Sequence, residues 1–426
     1  MMPQVYVADV LCGGGKTTAA INYINESDPD KKFIFVTPYL PECLRIVANC
    51  SAKNFMQPND EKLGRQRYTT KLSDMRVLLY GHNNIASTHA LFPKYTEDML
   101  EIIRSQKYTL IMDESYDVAK PLSNQERLMF FDESEKGTIQ LDENGRAHWC
   151  GGAPSPGSQL LDLYRAIENG AVYGYGKSLL IWMFPPEILL AFDTIIILTH
   201  MFDCQTLRYY LDLLGLSYTY MATKYDGATY RFCSPADNDR VNPYAGVSRL
   251  IHILNNDRLE KIGQDEHALS ATWYERDERG DQAQIRKLGR HIKNVQKNIF
   301  ACPIRQFMWT MYKQYREMVE DKNIRNTFVP WNKKATNDYR ECQYLAYGIN
   351  LYAQPDACKY FSRFGVKMDI DRWALSEMIQ WIWRSAIRDG KEIWIYVPSK
   401  RMKTLLENWL IEVDGNDDLD AADKTA

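Results

Sequence analysis

A glycine-rich turn followed by lysine and threonine, near the start of the chain, carries the clearest chemistry in this sequence. The apolar run 5–11 predicts a buried strand, and residues 19–24 predict a helix. Glycines between them let successive backbone amides point at one phosphate, and the helix N-terminus adds partial positive charge. We therefore predict an ATP site in which Lys16 reaches the β- and γ-phosphates and the Thr17 hydroxyl holds Mg²⁺. The candidate nucleotide-binding residues here are Gly13, Gly14, Gly15, Lys16, Thr17 and Thr18.

The match is to the looser form of this motif, because the strict pattern has glycine at position 10 and this chain has Val10. The alternative interpretation is a glycine-rich turn with an incidental lysine. The strand before the turn and the helix after it are the context that a phosphate-binding loop requires, and they favour the nucleotide site.

Two adjacent carboxylates, Asp113 and Glu114, end a second apolar run that begins at Tyr108. Ligands bind at the carboxyl ends of parallel strands, so this pair is expected beside the phosphates. Asp113 is the candidate Mg²⁺ ligand, and Glu114 is the candidate residue that orients the attacking water. A carboxylate pair that merely ends a strand at the surface is the alternative.

Strands alternate with helices through the first half, which predicts a mainly parallel sheet flanked by helices. Residues 76–80 predict a further strand and residues 86–92 the start of a helix. Residues 117–190 interrupt the alternation, and we interpret them as an insertion with a β-hairpin that turns at Asn144-Gly145.

The second half contains a predicted helix over residues 375–390, closed by Gly390. Gln380, Arg384 and Arg388 recur every four residues and would share one face of it. Arginine offers forked donors to a phosphate whose charge rises during transfer.

Residues 264–300 are strongly charged, with apolar residues at helical spacing and basic residues around them. This segment is either a nucleic-acid backbone contact or a solvated helix face.

Composition allows a protein of two domains without indicating its partner. The chain has 426 residues, 45% of them hydrophobic, and a net charge of −3, which neither indicates nor excludes nucleic acid. The nine cysteines form no C-x-x-C motif and no zinc pattern, and no run of apolar residues is long enough to span a membrane. We expect a protein of the cytoplasm, or of the host cytoplasm if it is viral.

These motifs together resemble superfamily 2 (DEAD/DEAH-box-like) helicases and translocases, especially the divergent phage or viral kind. The resemblance spans roughly residues 4–412 and is carried by the glycine loop, the Asp-Glu pair and the Gln380/Arg384 segment. Further positions are similar to family motifs that contact nucleic acid or nucleotide. They are Thr37, Pro38, Thr88, His89 and Thr336 for nucleic acid, and Asn337 for the nucleotide.

The resemblance implies an α/β fold of two RecA-like lobes, residues 1–205 and 206–412. Residues 413–426 form an acidic tail that we expect to be disordered. It implies ATP and Mg²⁺ between the lobes, with Lys16 and Glu114 from the first and catalytic Gln380, Arg384 and Arg388 from the second. It also implies an ATP hydrolase that binds nucleic acid, DNA rather than RNA, in viral replication, recombination or repair, together with other proteins of that process.

Three other functions remain open from the sequence. A viral DNA-packaging motor shares the phosphate-binding loop and the Asp-Glu pair, but a nuclease cluster of carboxylates is not visible after residue 230. An ATP-gated clamp that remodels partners on nucleic acid without unwinding it would have the same motifs. A phosphate-loop kinase acting on a small molecule is the third alternative.

Overall fold

The computed structural model describes residues 2–60, 62–63, 67–68, 70–176, 179–237, 244, 246–319, 324–332 and 338–423. The predicted contacts Thr336 and Asn337 lie outside these ranges. Among the described residues, no helix combines the length and the apolar character that a membrane crossing requires.

The helices and strands are numbered in chain order. The strands are β1 (Gln4–Asp9), β2 (Phe33–Thr37), β3 (Phe55–Met56), β4 (Lys62–Leu63), β5 (Arg67–Tyr68), β6 (Asn84–Thr88), β7 (Thr109–Asp113), β8 (Ala119–Pro121), β9 (Ile139–Leu141), β10 (Ala147–Trp149), β11 (Val172–Tyr175), β12 (Leu179–Met183), β13 (Thr194–Thr199), β14 (Tyr218–Tyr225), β15 (Tyr230–Cys233), β16 (Ile251–Ile253), β17 (Phe307–Thr310), β18 (Tyr344–Tyr347) and β19 (Ile393–Tyr396). The helices are α1 (Lys16–Glu26), α2 (Leu40–Asn49), α3 (Lys71–Tyr80), α4 (Glu97–Ser105), α5 (Asn124–Glu135), α6 (Leu161–Glu168), α7 (Pro186–Leu190), α8 (Thr206–Leu213), α9 (Asp257–Glu260), α10 (Ala271–Arg279), α11 (Ala283–Asn294), α12 (Pro355–Arg363), α13 (Ile370–Ile382) and α14 (Lys400–Asp423).

The chain divides into two compact units. The first contains Met1–Val10, Gly14–Asn238 and Gln354–Met368, and the second contains Leu11–Gly13, Asp239–Ala353 and Asp369–Ala426. The first unit continues beyond residue 205 because β14 hydrogen-bonds to β1 and β15 to β14.

The first unit is built on an eight-stranded sheet in the order β15-β14-β1-β13-β7-β2-β6-β3. All neighbours run parallel except β14 and β15, so the predicted mainly parallel α/β sheet is confirmed. Strands β2, β7 and β13 are buried along their whole length, as expected when helices cover both faces of a parallel sheet. Strand β13 lies between β1 and β7, and therefore between the two predicted nucleotide motifs.

Two local predictions are wrong. Residues 76–80 belong to helix α3, which begins where the Thr70 hydroxyl accepts a hydrogen bond from the Ser73 amide. Its buried residues, Met75, Leu78 and Leu79, recur at helical spacing, while Val77 is exposed. Residues 86–88 lie in strand β6, where pairing with β2 and burial outweigh the helical preference of alanine.

The segment 117–190 has a hydrophobic core of its own. The predicted hairpin is confirmed: β9 and β10 pair antiparallel, and Gly145 in the turn has φ 78°. A second small sheet, β11-β12-β8, is antiparallel throughout. The core residues are Leu122, Phe130, Ile139, Ala147, Leu163, Ile167, Val172 and Leu180.

Helix α12 lies against this small sheet, although it comes from far along the chain. The rings of Tyr360 and Tyr173 are 5.6 Å apart between centroids, in edge-to-face contact. Nη1 of Arg127 lies 3.5 Å from Oδ2 of Asp356. The first unit is therefore completed by a segment that follows most of the second unit in sequence.

The second unit contains a parallel four-stranded sheet in the order β16-β19-β18-β17.

The predicted helix over residues 375–390 is wrong in extent, because α13 ends at Ile382 and a separate 3₁₀ helix covers Ala386–Asp389. Ser385 separates them with an extended backbone, φ −84° and ψ −170°. Gln380, Arg384 and Arg388 therefore do not share one continuous helical face, although Gly390 closes the second helix as predicted, with φ 70°.

Candidate nucleotide-binding site

The glycine loop has the backbone conformation that phosphate binding needs. Gly13 and Gly15 have φ 90° and 81°, in the left-handed region that residues with a Cβ rarely adopt. Gly15 is the N-cap of α1, and the helix begins at Lys16, so its first amides face the loop. Lys16 is 8% exposed, and its Nζ donates to the Val10 carbonyl at 2.6 Å. Thr18 follows, half-buried, in the first turn.

The structure brings Thr17 and Asp113 together, as the sequence predicts for two oxygen ligands of one cation. Thr17 Oγ1 lies 3.4 Å from Asp113 Oδ1. Asp113 is 8% exposed, and burial, followed by the charge of Glu114, raises the pKa of Asp113 to about 7. A bound cation would favour the ionised carboxylate that burial disfavours.

Glu114 has a strained backbone. Its φ is 64°, although it is not glycine, and its amide donates to the Leu198 carbonyl on β13 at 2.9 Å. The left-handed region costs an ordinary L-residue about 1–2 kcal/mol. The side chain is half-buried at the carboxyl edge of the sheet, where a residue that orients water beside the phosphates would be expected.

Several polar residues fix the end of β7, and the sequence analysis selected only His89 among them, as a nucleic-acid contact. The His89 Nε2 lies 3.0 Å from the Asp113 carbonyl oxygen. Ser115 Oγ donates to Oε1 of Gln205 at 2.7 Å, and Gln205 Nε2 donates to the His200 carbonyl at 3.2 Å. The sequence offers no periodic signal for these contacts, because they join separate loops after β6, β7 and β13.

Asp9, the last residue of β1, is a further acidic group at this edge. Its Oδ2 accepts a hydrogen bond from the Phe202 amide at 2.9 Å. Burial raises the pKa of Asp9, and the nearby Lys16 and the Phe202 amide counteract this. A carboxylate at the end of the strand before a phosphate-binding loop was the one signal in the sequence that could have identified it.

The hairpin of β14 and β15 lies directly on the glycine loop. The Thr223 hydroxyl donates to the Gly14 carbonyl at 2.6 Å. A Cβ added at Gly15 would lie 2.1 Å from Cγ of Tyr230, so the tyrosine ring covers the position where only glycine fits. Asn22 Nδ2 on α1 donates to the Tyr230 carbonyl at 2.8 Å. The hairpin thus holds both the loop and the helix that follows it.

The predicted nucleic-acid contacts of the first unit lie at the carboxyl ends of β2 and β6. Thr37 is fully buried, and its hydroxyl has no hydrogen-bond partner among the described residues. Its carbonyl accepts a hydrogen bond from the His89 amide at 3.0 Å. Pro38, Thr88 and His89 are half-buried. This burial favours a positioning role for Thr37, and the nucleic-acid contacts remain predictions.

The predicted catalytic residues of the second unit differ in exposure. Arg384 is 7% exposed, and its Nη1 donates to the Trp331 carbonyl at 3.0 Å. Arg388 is exposed on the 3₁₀ helix, and Gln380 is half-buried on α13. Their roles in ATP hydrolysis remain predictions.

The residues of the first unit fit a nucleotide with a magnesium ion. Amides at a helix N-terminus and Lys16 suit the phosphates, while Thr17 and Asp113 supply two hard oxygen ligands. Magnesium usually keeps several waters and takes its remaining ligands from substrate phosphates, so two protein ligands are sufficient. No group of three or more His, Cys, Asp or Glu residues able to hold a metal occurs in the described part of the chain.

Comparison with known proteins finds a relative that matches nearly the whole length of the chain. The chain is 34% identical over 420 residues to the SPbeta prophage-derived protein YonV of Bacillus subtilis (strain 168), covering 96% of this chain and 99% of that protein. Residues 245–410 match the family described as the YonV C-terminal Rossmann-like domain.

The solved structures that match along the chain include the following two. The structure of S. tokodaii Xpd4 has a TM-score of 0.46 and 12% identity, with 96% of this chain and 94% of that chain covered. The crystal structure of the DUF1998 helicase MrfA bound to DNA and AMPPNP has a TM-score of 0.33 and 9% identity. It covers 96% of this chain, which in turn spans 48% of the MrfA chain.

Proposed function

This chain belongs to the family of the prophage protein YonV, and we propose that it is an ATP-dependent nucleic-acid helicase or translocase. The observation that carries the proposal is the convergence of Lys16, Thr17 and the Asp113-Glu114 pair at one edge of the parallel sheet. The prophage origin of the relative agrees with the phage or viral type that the resemblance implied.

The residues of the first unit have distinct roles in this proposal. The α1 N-terminus and Lys16 bind the phosphates. The Lys16 ammonium leaves the Val10 carbonyl and donates to a phosphate oxygen instead. Thr17 and Asp113 would hold Mg²⁺, and such an ion would supply positive charge beside the phosphates. Glu114 orients the attacking water and accepts its proton, from a backbone fixed by the Leu198 carbonyl.

Hydrolysis would be completed by arginines of the second unit, and the energy would drive movement along a strand held by its phosphates. DNA rather than RNA, and replication, recombination or repair as the process, follow from the family resemblance. An ATP-gated clamp that does not unwind would use the same nucleotide residues.

The first experiment is the rate of ATP hydrolysis with no nucleic acid, single-stranded DNA, duplex DNA and RNA. We expect Mg²⁺-dependent hydrolysis that nucleic acid stimulates and that Lys16→Ala abolishes. A strand-displacement assay beside it separates unwinding from clamping. Absence of ATP binding by the wild-type chain would contradict the proposal.

A further inference from the structure

The second unit contains a long stretch of the chain without any acidic residue. Residues 282–316, here called the basic segment, contain eight lysines and arginines and no Asp or Glu. The whole chain has a net charge of −3, so this concentration of positive charge is a local feature. The eight residues are Arg286, Lys287, Arg290, Lys293, Lys297, Arg305, Lys313 and Arg316.

Helix α11 and the π-helical turn Val295–Ile299 present four of these cations in one row. Positions 286, 290, 293 and 297 follow one another at spacings of four, three and four, which places them on one helical face. Residues 286, 290 and 297 are exposed, and 293 is half-buried. The row is ~16 Å long at 1.5 Å per residue.

The opposite face of the same helix packs into the hydrophobic core of the second unit. Ile285, Leu288 and Ile292 are fully buried in a cluster with β17 and β18 residues. A helix that lies in a membrane interface must offer its apolar face to lipid, and here that face is already covered. The basic face alone is available to a partner.

His291 on the same helix lies close to several of these cations. Burial, followed by the charges of Lys287 and Arg290, lowers the pKa of His291.

A cleft of about 740 Å³ adjoins the end of the row. Lys297 and Arg305 line it together with groups that can hydrogen-bond to bases and sugars, Gln296, Asn326 and Thr327. Tyr339 and the carboxylate of Asp338 also line it. Cations beside amide, hydroxyl and aromatic groups suit a nucleotide chain better than a bare anion.

We propose that the part of the basic segment between Arg286 and Arg305 binds the sugar-phosphate backbone of a nucleic-acid strand, with nucleotides entering the cleft beside Lys297. The inference rests on the proposed function for the identity of the partner. Along the axis of a B-form duplex, where each strand has one phosphate per ~3.4 Å, the length of the row corresponds to about five phosphates of one strand. Contacts of this kind position a strand without selecting its sequence.

The test replaces four exposed cations together, Arg286, Arg290, Lys297 and Arg305, each by glutamine. The matched control replaces Arg104, Lys136, Arg165 and Lys359 by glutamine, which changes the net charge equally. The control residues are exposed in the first unit, and each lies within 4.0 Å of a carboxylate. Circular dichroism melting checks that both variants are folded.

Binding of labelled oligothymidylate is measured by fluorescence anisotropy between ~50 and ~200 mM salt. We expect the affinity of the quadruple variant to fall about tenfold or more, and the slope of log K against log salt to lessen by up to ~3. The control variant should keep the wild-type affinity and slope. Equal affinity and slope in both variants, or no binding by the wild-type chain, would overturn the inference.

Two further arms separate the alternatives. Vesicles containing phosphatidylserine are tested with the same variants, and a loss of vesicle binding with unchanged oligonucleotide binding would overturn the nucleic-acid assignment. ATP hydrolysis without nucleic acid is measured in parallel and should be the same in all three proteins. If no protein hydrolyses ATP but the oligonucleotide result holds, the proposed motor function fails and the binding surface does not.

Discussion

Thr17 Oγ1 and Asp113 Oδ1 lie 3.4 Å apart although the two residues are separated by 96 positions in the sequence. Strand β13 lies between the strands that precede them, so the contact depends on the loop after β1 reaching across one strand. A cation held by both oxygens would join the phosphate-binding loop to the Asp-Glu pair.

Thr17→Val keeps the shape of the side chain and removes the oxygen. We expect hydrolysis at fixed Mg²⁺ to fall by at least ~100-fold, because a ligand of the metal is lost. Thr17→Ser is the matched control and should retain most activity. Phosphate release measured across a Mg²⁺ titration checks this, and equal rates for valine and serine would remove Thr17 from the site.

Asp113→Asn should stabilise the protein in the absence of metal and nucleotide. The pKa of about 7 is above the ordinary value of 3.8, so the folded state holds this proton more tightly than the unfolded chain does. Stability from this group is complete below pH ~4 and is lost as the pH rises towards 7. We therefore expect a gain in Tm that is larger at pH 8 than at pH 5, measured by thermal melting.

Asp226→Asn is a control of opposite sign. Hydrogen bonds from the Thr229 and Ala228 amides and from Arg231 lower the pKa of Asp226 to about 2. This group contributes stability above its unfolded pKa, so its removal should lower Tm at pH 8. If both variants shift Tm in the same direction, the explanation from buried charge is wrong.

Substitutions at Glu114 can separate the effect of its backbone strain on stability from the role of its carboxylate in hydrolysis. Asparagine adopts the left-handed region more readily than glutamine, so Glu114→Asn should gain up to ~1 kcal/mol of unfolding free energy while Glu114→Gln should not. Both substitutions remove the carboxylate and should abolish hydrolysis but retain ATP binding. Urea unfolding and nucleotide binding measure the two effects, and a stabilised variant that remains active would contradict the role of Glu114.

Gly15→Ala should destabilise the loop by about 2 kcal/mol or more, because φ is 81° and the added Cβ meets the Tyr230 ring. Gly152→Ala is the control, since its Cβ would meet nothing within 4 Å. The double variant with Tyr230→Ala removes the clash but keeps the φ strain. Recovery of only part of the stability in that double variant is the expected result, and none at all would show that Tyr230 does not restrict the loop.

Alanine substitutions at Arg384 and at Arg388 should have different effects on the stability of the protein. Arg388→Ala, at an exposed position, should lower hydrolysis by about 10³-fold or more without changing stability or ATP binding, if it is the arginine that stabilises the transferring phosphate. Arg384→Ala also leaves the Trp331 carbonyl without this donor, so we expect a lower Tm together with lost hydrolysis. Wild-type turnover by both variants would remove this segment from the catalytic mechanism.

The parts of the candidate site that could be predicted from the sequence are those whose residues are adjacent in the chain. The loop at Gly13 to Thr17 and the pair Asp113-Glu114 each follow an apolar run that could only be a buried strand, so their place at the carboxyl edge of a parallel sheet followed directly. The contacts of Thr223 and Tyr230 with the loop had no such signal, because they join residues more than 200 positions apart.

Local patterns failed where tertiary context or a single residue decided the outcome. Strand β6 contains alanine and serine, which do not favour strands, and its place between β2 and β3 explains it. The sequence spacing of Gln380, Arg384 and Arg388 is helical, but α13 ends at Ile382 and the extended backbone of Ser385 separates it from the next helix.

The position of helix α12 constrains how this protein can be taken apart. Residues Gln354–Met368 complete the first unit, yet they are encoded between two stretches of the second. A truncation after Asn238 would therefore remove Tyr360 and its neighbours from the sheet β11-β12-β8. The separate carboxyl-terminal half would contain helix α12 without the sheet that its apolar face packs against. Neither half is expected to be an autonomous folding module, so gene fragments expressed separately should aggregate unless they are produced together.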